Sequence, residues 1–231
     1  MKLARPDVFH PRIVLAGCAA WPEGDGDDDG LVAALRRRGL HARWFPWDDP
    51  GTLTADLVIL RAARDRTDRP EEFLAWTRAV AHLLNPAPVV AWNSTRRYLA
   101  DLARWGVPVS STEGGTDGAT ALVFLAGEPS HVVGNGPSGA PDASHWRVAR
   151  LALEAVARQF DVSPEDLLCA RVEVDTGPDG PHVRALDVRD PRLGFRQLGR
   201  CERDDAERSF AVGVEGALAR LGLGPLSHRG G

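Results

Sequence analysis

Arg171, Glu173, Asp187, Asp190 and Pro191 form the densest set of chemistry-bearing residues in the chain. Two lie on the run ARVEVD (170–175); the others close the run HVRALDVRDP (182–191). If the two runs pair as antiparallel strands, carboxylates and a guanidinium converge at one sheet end. Such a group suits a Mg2+ ion bridging phosphate oxygens, because Mg2+ takes hard oxygen ligands and leaves places for the substrate's own. The same residues equally suit a salt-bridged sheet rim. Spacing alone leaves both readings open.

Other motifs carry less. GNGPSG, Gly134 to Gly139, matches GxGxxG, but Pro137 removes an N–H that a phosphate would need, and no βαβ unit surrounds it. It reads as a connector. Asp25, Asp27, Asp28 and Asp29 do not follow an EF-hand pattern and read as a solvated loop, with Asp29 capping the helix that follows. The seven histidines are scattered without an HExxH pair, and no GxSxG elbow occurs. Trp44 and Trp47 read as core or dimer contacts on one edge element.

Lys2 is the single lysine among 28 basic residues. Arginine binds anions through a planar fork and cannot serve as a general base, so lysine-dependent chemistry is excluded from the body of the chain. A net charge of −4 gives no footprint for nucleic acid. No apolar run is long enough to span a membrane. The three cysteines show no metal-ligand spacing and fit a reducing cytoplasm.

The elements that must position these residues fall into two groups. Apolar runs at 12–18, 41–47, 56–61 and 89–92 read as strands, with helices at 31–38, from Asp68 and Pro70 to about Leu84, and at 94–105; VPV (107–109) closes the half. Strands alternating with helices predict an open parallel α/β sheet over residues 1–110. Pro46 places 41–47 at its edge. After a junction at 111–120 the pattern changes: a hairpin at 121–125 and 130–133, a helix at 143–160, strands at 170–175 and 182–188 joined by TGPDG, and a last helix at 204–221. That half, 121–222, reads as α+β, and 223–231 as a tail.

The runs LVILRAARD (57–65), LLNPAPVVAWNSTRRYLADLARWGVPVSST (83–112), ALVFLAGEPSHVV (121–133) and ARVEVDTGPDGPHVRALDVRDPRLGF (170–195) occur in an order that resembles actinobacterial ATP-grasp carboxylate–amine ligases. The NP…WN…YL…GVP block is the most specific part. The resemblance implies a pre-ATP-grasp-like α/β domain followed by an ATP-grasp half. It also implies activation of a carboxylate by ATP and Mg2+ and attack by an amine. DVRDP stands where the family has a metal-binding motif like ELIEP, which carries a metal-ligand role onto Asp187 and Asp190. Arg171 matches the arginine of an ARVD-like strand, and Arg61 an arginine on the substrate side. Ser130 and His131 match an FSHAV stretch toward the acceptor site, and Arg96 stands where relatives have a lysine near the nucleotide.

The departures matter as much. Arg64-Asp65-Arg66 replaces a WDY triplet. Ten residues, 111–120, lie between Ser110 and Ala121, where the family carries a lid subdomain with a phosphate lysine. Ten residues cannot supply several strands and a helix. These departures predict a degenerate ATP-grasp protein that no longer holds ATP in the usual way. It would act as a cytoplasmic binding or scaffolding partner of a small-molecule carboxylate or of another protein in natural-product metabolism, with a homodimer through the Trp44–Trp47 edge. Two rivals remain: a minimal or repurposed ligase, and a small carboxylate-binding module built on Arg61 and Arg171.

Overall fold

The computed structural model describes residues 10–95, 97–110, 119–134 and 140–224. The connector 135–139, residues 111–118 of the junction, Arg96 and residues 225–231 of the tail lie outside them. Four parallel strands, β1 (Ile13–Gly17), β2 (Ala42–Pro46), β3 (Leu57–Leu60) and β4 (Leu83–Leu84), pair in the order β2-β1-β3-β4. β1 and β3 are buried at every position, the pattern of strands covered on both faces. β2 lies at the edge, as Pro46 requires.

Four antiparallel strands, β5 (Thr120–Leu125), β6 (Glu128–Val133), β7 (Cys169–Gly177) and β8 (Gly180–Asp187), form a second sheet in the order β6-β5-β7-β8. The helices are α1 (Leu31–Arg37), α2 (Pro70–Ala79), α3 (Ala87–Asn93), α4 (Tyr98–Arg104), α5 (Ala143–Phe160) and α6 (Arg200–Arg220). The chain is thus an α/β parallel half followed by an α+β half, as its pattern predicts.

α6 joins the halves. It buries Ala206, Phe210, Ala211, Val214, Ala217 and Leu218 in one core with Ile13, Leu15 and Ile59 of the parallel sheet and Val123 and Leu125 of the antiparallel one. Residues at helical spacing let this one helix pack on α1 in the parallel half and on β5 and β6 in the antiparallel half. Gly213 makes the approach close enough: a methyl group there would stand 2.8 Å from Ala126 Cβ and 2.9 Å from Leu168 Cδ1. On the far faces, α2 packs Phe73 and Trp76 against Trp47 and β3, and α5 packs Val148, Ala152 and Val156 against Val172, Val174 and Val183.

Several expectations are corrected. Residues 89–92 belong to α3 rather than a strand; Pro88 sits in its first turn, where a missing N–H costs nothing. The helix opened by Pro70 stops at Ala79, and Leu83–Leu84 pairs with β3 instead of extending it. The helix expected at 94–105 shortens to α4, and the last helix starts at Arg200. Asp29 does not cap α1, whose N-cap is Gly30 without a side-chain bond. Trp47 is a core residue, its indole N–H donating to Asp65 at 2.8 Å.

Candidate functional site

In a sheet of order β2-β1-β3-β4, the chain leaves β1 toward one edge and β3 toward the other. The crevice beyond their carboxyl ends is where open α/β sheets bind ligands. Here the loop after β1 supplies Asp25, Asp27 and Asp28, and the segment after β3 supplies Arg61, Arg64 and Arg66. β7 faces this crevice by simple alternation. Ala170, Val172 and Val174 point to α5, so Arg171 and Glu173 point the other way.

Two asparagines seat the halves. Asn85 donates to the carbonyls of Cys169 and Val188 (2.7 and 2.6 Å) and accepts from the Cys169 N–H. Asn93 donates to the Leu186 carbonyl and accepts from the Val188 N–H, both at 3.0 Å. Both are buried. They are the asparagines of the NP…WN block, whose specificity was visible in the sequence while its role as a clamp on β7 and β8 was not.

A charged network fills the base of the crevice. Arg61 donates from Nε and Nη2 to Asp28 Oδ1 (3.0 and 2.7 Å) and from Nη1 to the Pro191 carbonyl (2.9 Å). Asp190 Oδ1 accepts from the Ala62 N–H at 2.9 Å. Asp190 Oδ2 accepts from Arg64 at 3.2 Å and Arg66 at 3.0 Å. Arg64 reaches on to Asp25 at 2.5 Å. Ala62 has left-handed backbone, φ 51°, which a non-glycine residue holds only when its surroundings over-determine it. Its bond to Asp190 is one such constraint. Burial pushes the carboxyl pKa of Asp28 and Asp190 upward, with the Arg61 guanidinium opposing it.

Above the network lie two cavities of about 580 and 440 Å3 that share Arg171, Glu173 and Arg192. The larger is bounded by Trp21 and Gln197, the smaller by Arg64, Arg66 and Asp187. Arg171 donates to Glu173 at 3.1 Å.

Of the residues singled out in the sequence, Arg171 lines both cavities. Arg61, expected to face substrate, has no exposed surface and bonds Asp28 and the Pro191 carbonyl. Ser130 and His131 bond each other, Ser130 Oγ to His131 Nδ1 at 2.8 Å, beside a bulge in the β5–β6 pairing. His131 Nε2 lies 2.6 Å from the Leu193 carbonyl, so that nitrogen carries the proton and Nδ1 accepts from the hydroxyl. Arg96 is outside the described residues.

Asp187 and Asp190 lie at the same end of β8, as expected. Asp187 Oδ1 accepts from the N–H groups of Arg189 and Asp190. Asp190 is fully buried, and both its oxygens accept hydrogen bonds, one of them from two guanidinium groups. As placed, Arg64 and Arg66 hold the Asp190 Oδ2 that a cation would take. Among the described residues no group of three or more His, Cys, Asp or Glu side chains is arranged to hold a metal. The arginines responsible, Arg64 and Arg66, are those that replace the aromatic-flanked triplet. No described helix is long and apolar enough to cross a membrane.

Residues 13–85 match the family model of the D-cycloserine synthetase DcsG N-terminal domain. The chain is 38% identical over 233 residues to the cycloserine biosynthesis protein DcsG of Streptomyces lavendulae, covering 86% of this chain and 77% of that protein. Its fold resembles the crystal structure of D-cycloserine synthetase DcsG with a TM-score of 0.74 at 23% identity, over 89% of this chain and 99% of the other. It also resembles the ATP-grasp ligase PsnB, solved with a phosphomimetic variant of its minimal precursor, Mg and ADP, with a TM-score of 0.55 at 12% identity, over 89% and 99% of the two chains.

Proposed function

The chain belongs to the family of the cycloserine biosynthesis protein DcsG and has the ATP-grasp fold, and on that premise we propose that it is a lidless member that binds rather than ligates. In this reading it serves small-molecule, natural-product metabolism in the cytoplasm as a binding or scaffolding partner, and does not turn over ATP in the usual way. The observation that carries the reading is the closure of Arg64 and Arg66 on Asp190. That contact occupies the carboxylate where the resemblance would put a metal ligand. Two sequence facts support it: ten residues stand in the place of a lid, and the only lysine is Lys2.

A second reading, a minimal or repurposed ligase forming a C–N bond on a carboxylate, is favoured by the 38% identity with DcsG over most of the chain. Calorimetric titration with ATP and ADP, with and without Mg2+, separates the two. The binding reading expects no tight nucleotide complex. Tight, Mg2+-dependent ATP binding overturns it and leaves the ligase.

A further inference from the structure

We propose that Thr176, His145 and Asp142 form a second site, in which the Thr176 hydroxyl accepts a small acyl group from an activated ester. The site uses no residue of the crevice and is independent of the binding reading above.

The geometry is a relay of three side chains. His145 Nδ1 lies 2.9 Å from Asp142 Oδ1, and His145 Nε2 lies 2.9 Å from Thr176 Oγ1. Hydroxyl, imidazole and carboxylate in this order activate a nucleophile, and the arrangement is recognised by roles rather than by sequence position. Asp142 is firmly held, since its Oδ1 also accepts from the Ser144 hydroxyl and the Ser144 N–H. The bonds from Ser144 and His145 keep its carboxyl well below the usual carboxylate range. An ionised Asp142 takes the Nδ1 proton, so Nε2 is the accepting nitrogen and the Thr176 hydroxyl donates to it.

Helix capping does not account for this arrangement. Asp142 caps α5 through the N–H groups of Ser144 and His145, which needs no imidazole. The ring instead bridges the cap to β7, 31 residues further on. Alternation along β7 explains the meeting: Ala170, Val172 and Val174 face α5, and Thr176 continues that face, opposite Arg171 and Glu173. The His145 side chain is only 13% exposed and so is fixed, whereas Thr176 is exposed and open to a reactant. His145 also sits in the first turn of an 18-residue helix, whose positive end favours negative charge developing on the acyl oxygen.

In the step, Thr176 Oγ1 forms a bond to the acyl carbon and its proton passes to His145 Nε2. The bond from that carbon to the leaving oxygen breaks, and the leaving oxygen takes the proton from the imidazolium. Asp142 is a positioning residue.

The test treats the full chain with p-nitrophenyl acetate and reads both p-nitrophenolate release and the acetylated residue by peptide mass mapping. Acetyl is expected on Thr176. His145→Gln, which can hydrogen-bond but cannot take the proton, slows this labelling about a hundredfold. Asp142→Asn keeps a good helix cap and slows it with Tm unchanged, a split that a merely structural aspartate would not give. Release beyond one equivalent that is lost in Thr176→Val supports the same site, with water as the final acceptor. Release unchanged in Thr176→Val without label on Thr176, or equal labelling in His145→Gln, overturns the proposal.

Discussion

Arg61 and Asp28 meet 2.7 Å apart with no exposed surface on either side chain, joining the segment after β3 to the loop after β1. Asp28 Oδ2 is buried without a partner, so the pair is not compensated beyond Arg61. Removing one member therefore strands the other. Arg61→Met is expected to destabilise the fold by about 3–5 kcal/mol, and the double variant Arg61→Met with Asp28→Leu by clearly less, because it removes both buried charges. Urea unfolding of the three proteins checks this; equal losses in single and double variants would contradict it.

Asn85 and Asn93 each bond buried backbone groups of β7, β8 and the residue after β8. Asn85→Ala or Asn93→Ala leaves those groups bare and is expected to cost about 2–3 kcal/mol per site. Hydrogen exchange at the Cys169 and Val188 amides is the sharper readout. Protection should fall at Cys169 in the first variant and at Val188 in the second.

The close crossing of α6 makes Gly213 intolerant of a side chain. Gly213→Ala puts a carbon 2.8 Å from Ala126 Cβ and is expected to destabilise by about 1–3 kcal/mol even though alanine favours helices. A thermal melt decides it: a raised Tm would mean that the β5–β6 turn gives way freely.

Burial holds the His131 imidazole below its usual pKa, with the Leu193 carbonyl pulling the other way. The unfolded chain then takes up a proton near pH 6.5 before the folded one does. The contribution to stability is full above pH 6.5 and declines as the pH falls below it. His131→Gln should remove that decline, so the stability difference between wild type and variant shrinks from pH 7 to pH 5. A difference independent of pH would show that the ring titrates alike in both states.

The sheets were legible because their signal is local. Runs such as RIVLAGC and ALVFL are apolar, short and bounded by turn residues, which reads as covered strand, and α5 follows from its helical stripe. VVAW was not legible, since four apolar residues have the same pattern in a buried strand and a buried helix turn. Leu83–Leu84 was absorbed into the preceding helix for the same reason.

The sequence by itself determined the parallel and antiparallel halves, the ten-residue span at 111–120 and the absence of a body lysine, because each is written in neighbouring residues. Only the tertiary structure decided what the charges do. Arg64 and Arg66 reach Asp190 across more than a hundred residues of chain, and Arg61 disappears behind Asp28, because α6 and the two asparagines dock one sheet's loops onto the other's edge. A carboxylate becomes a metal ligand or an arginine partner according to which side chains that docking brings within 3 Å or so, a distance no spacing along the chain encodes.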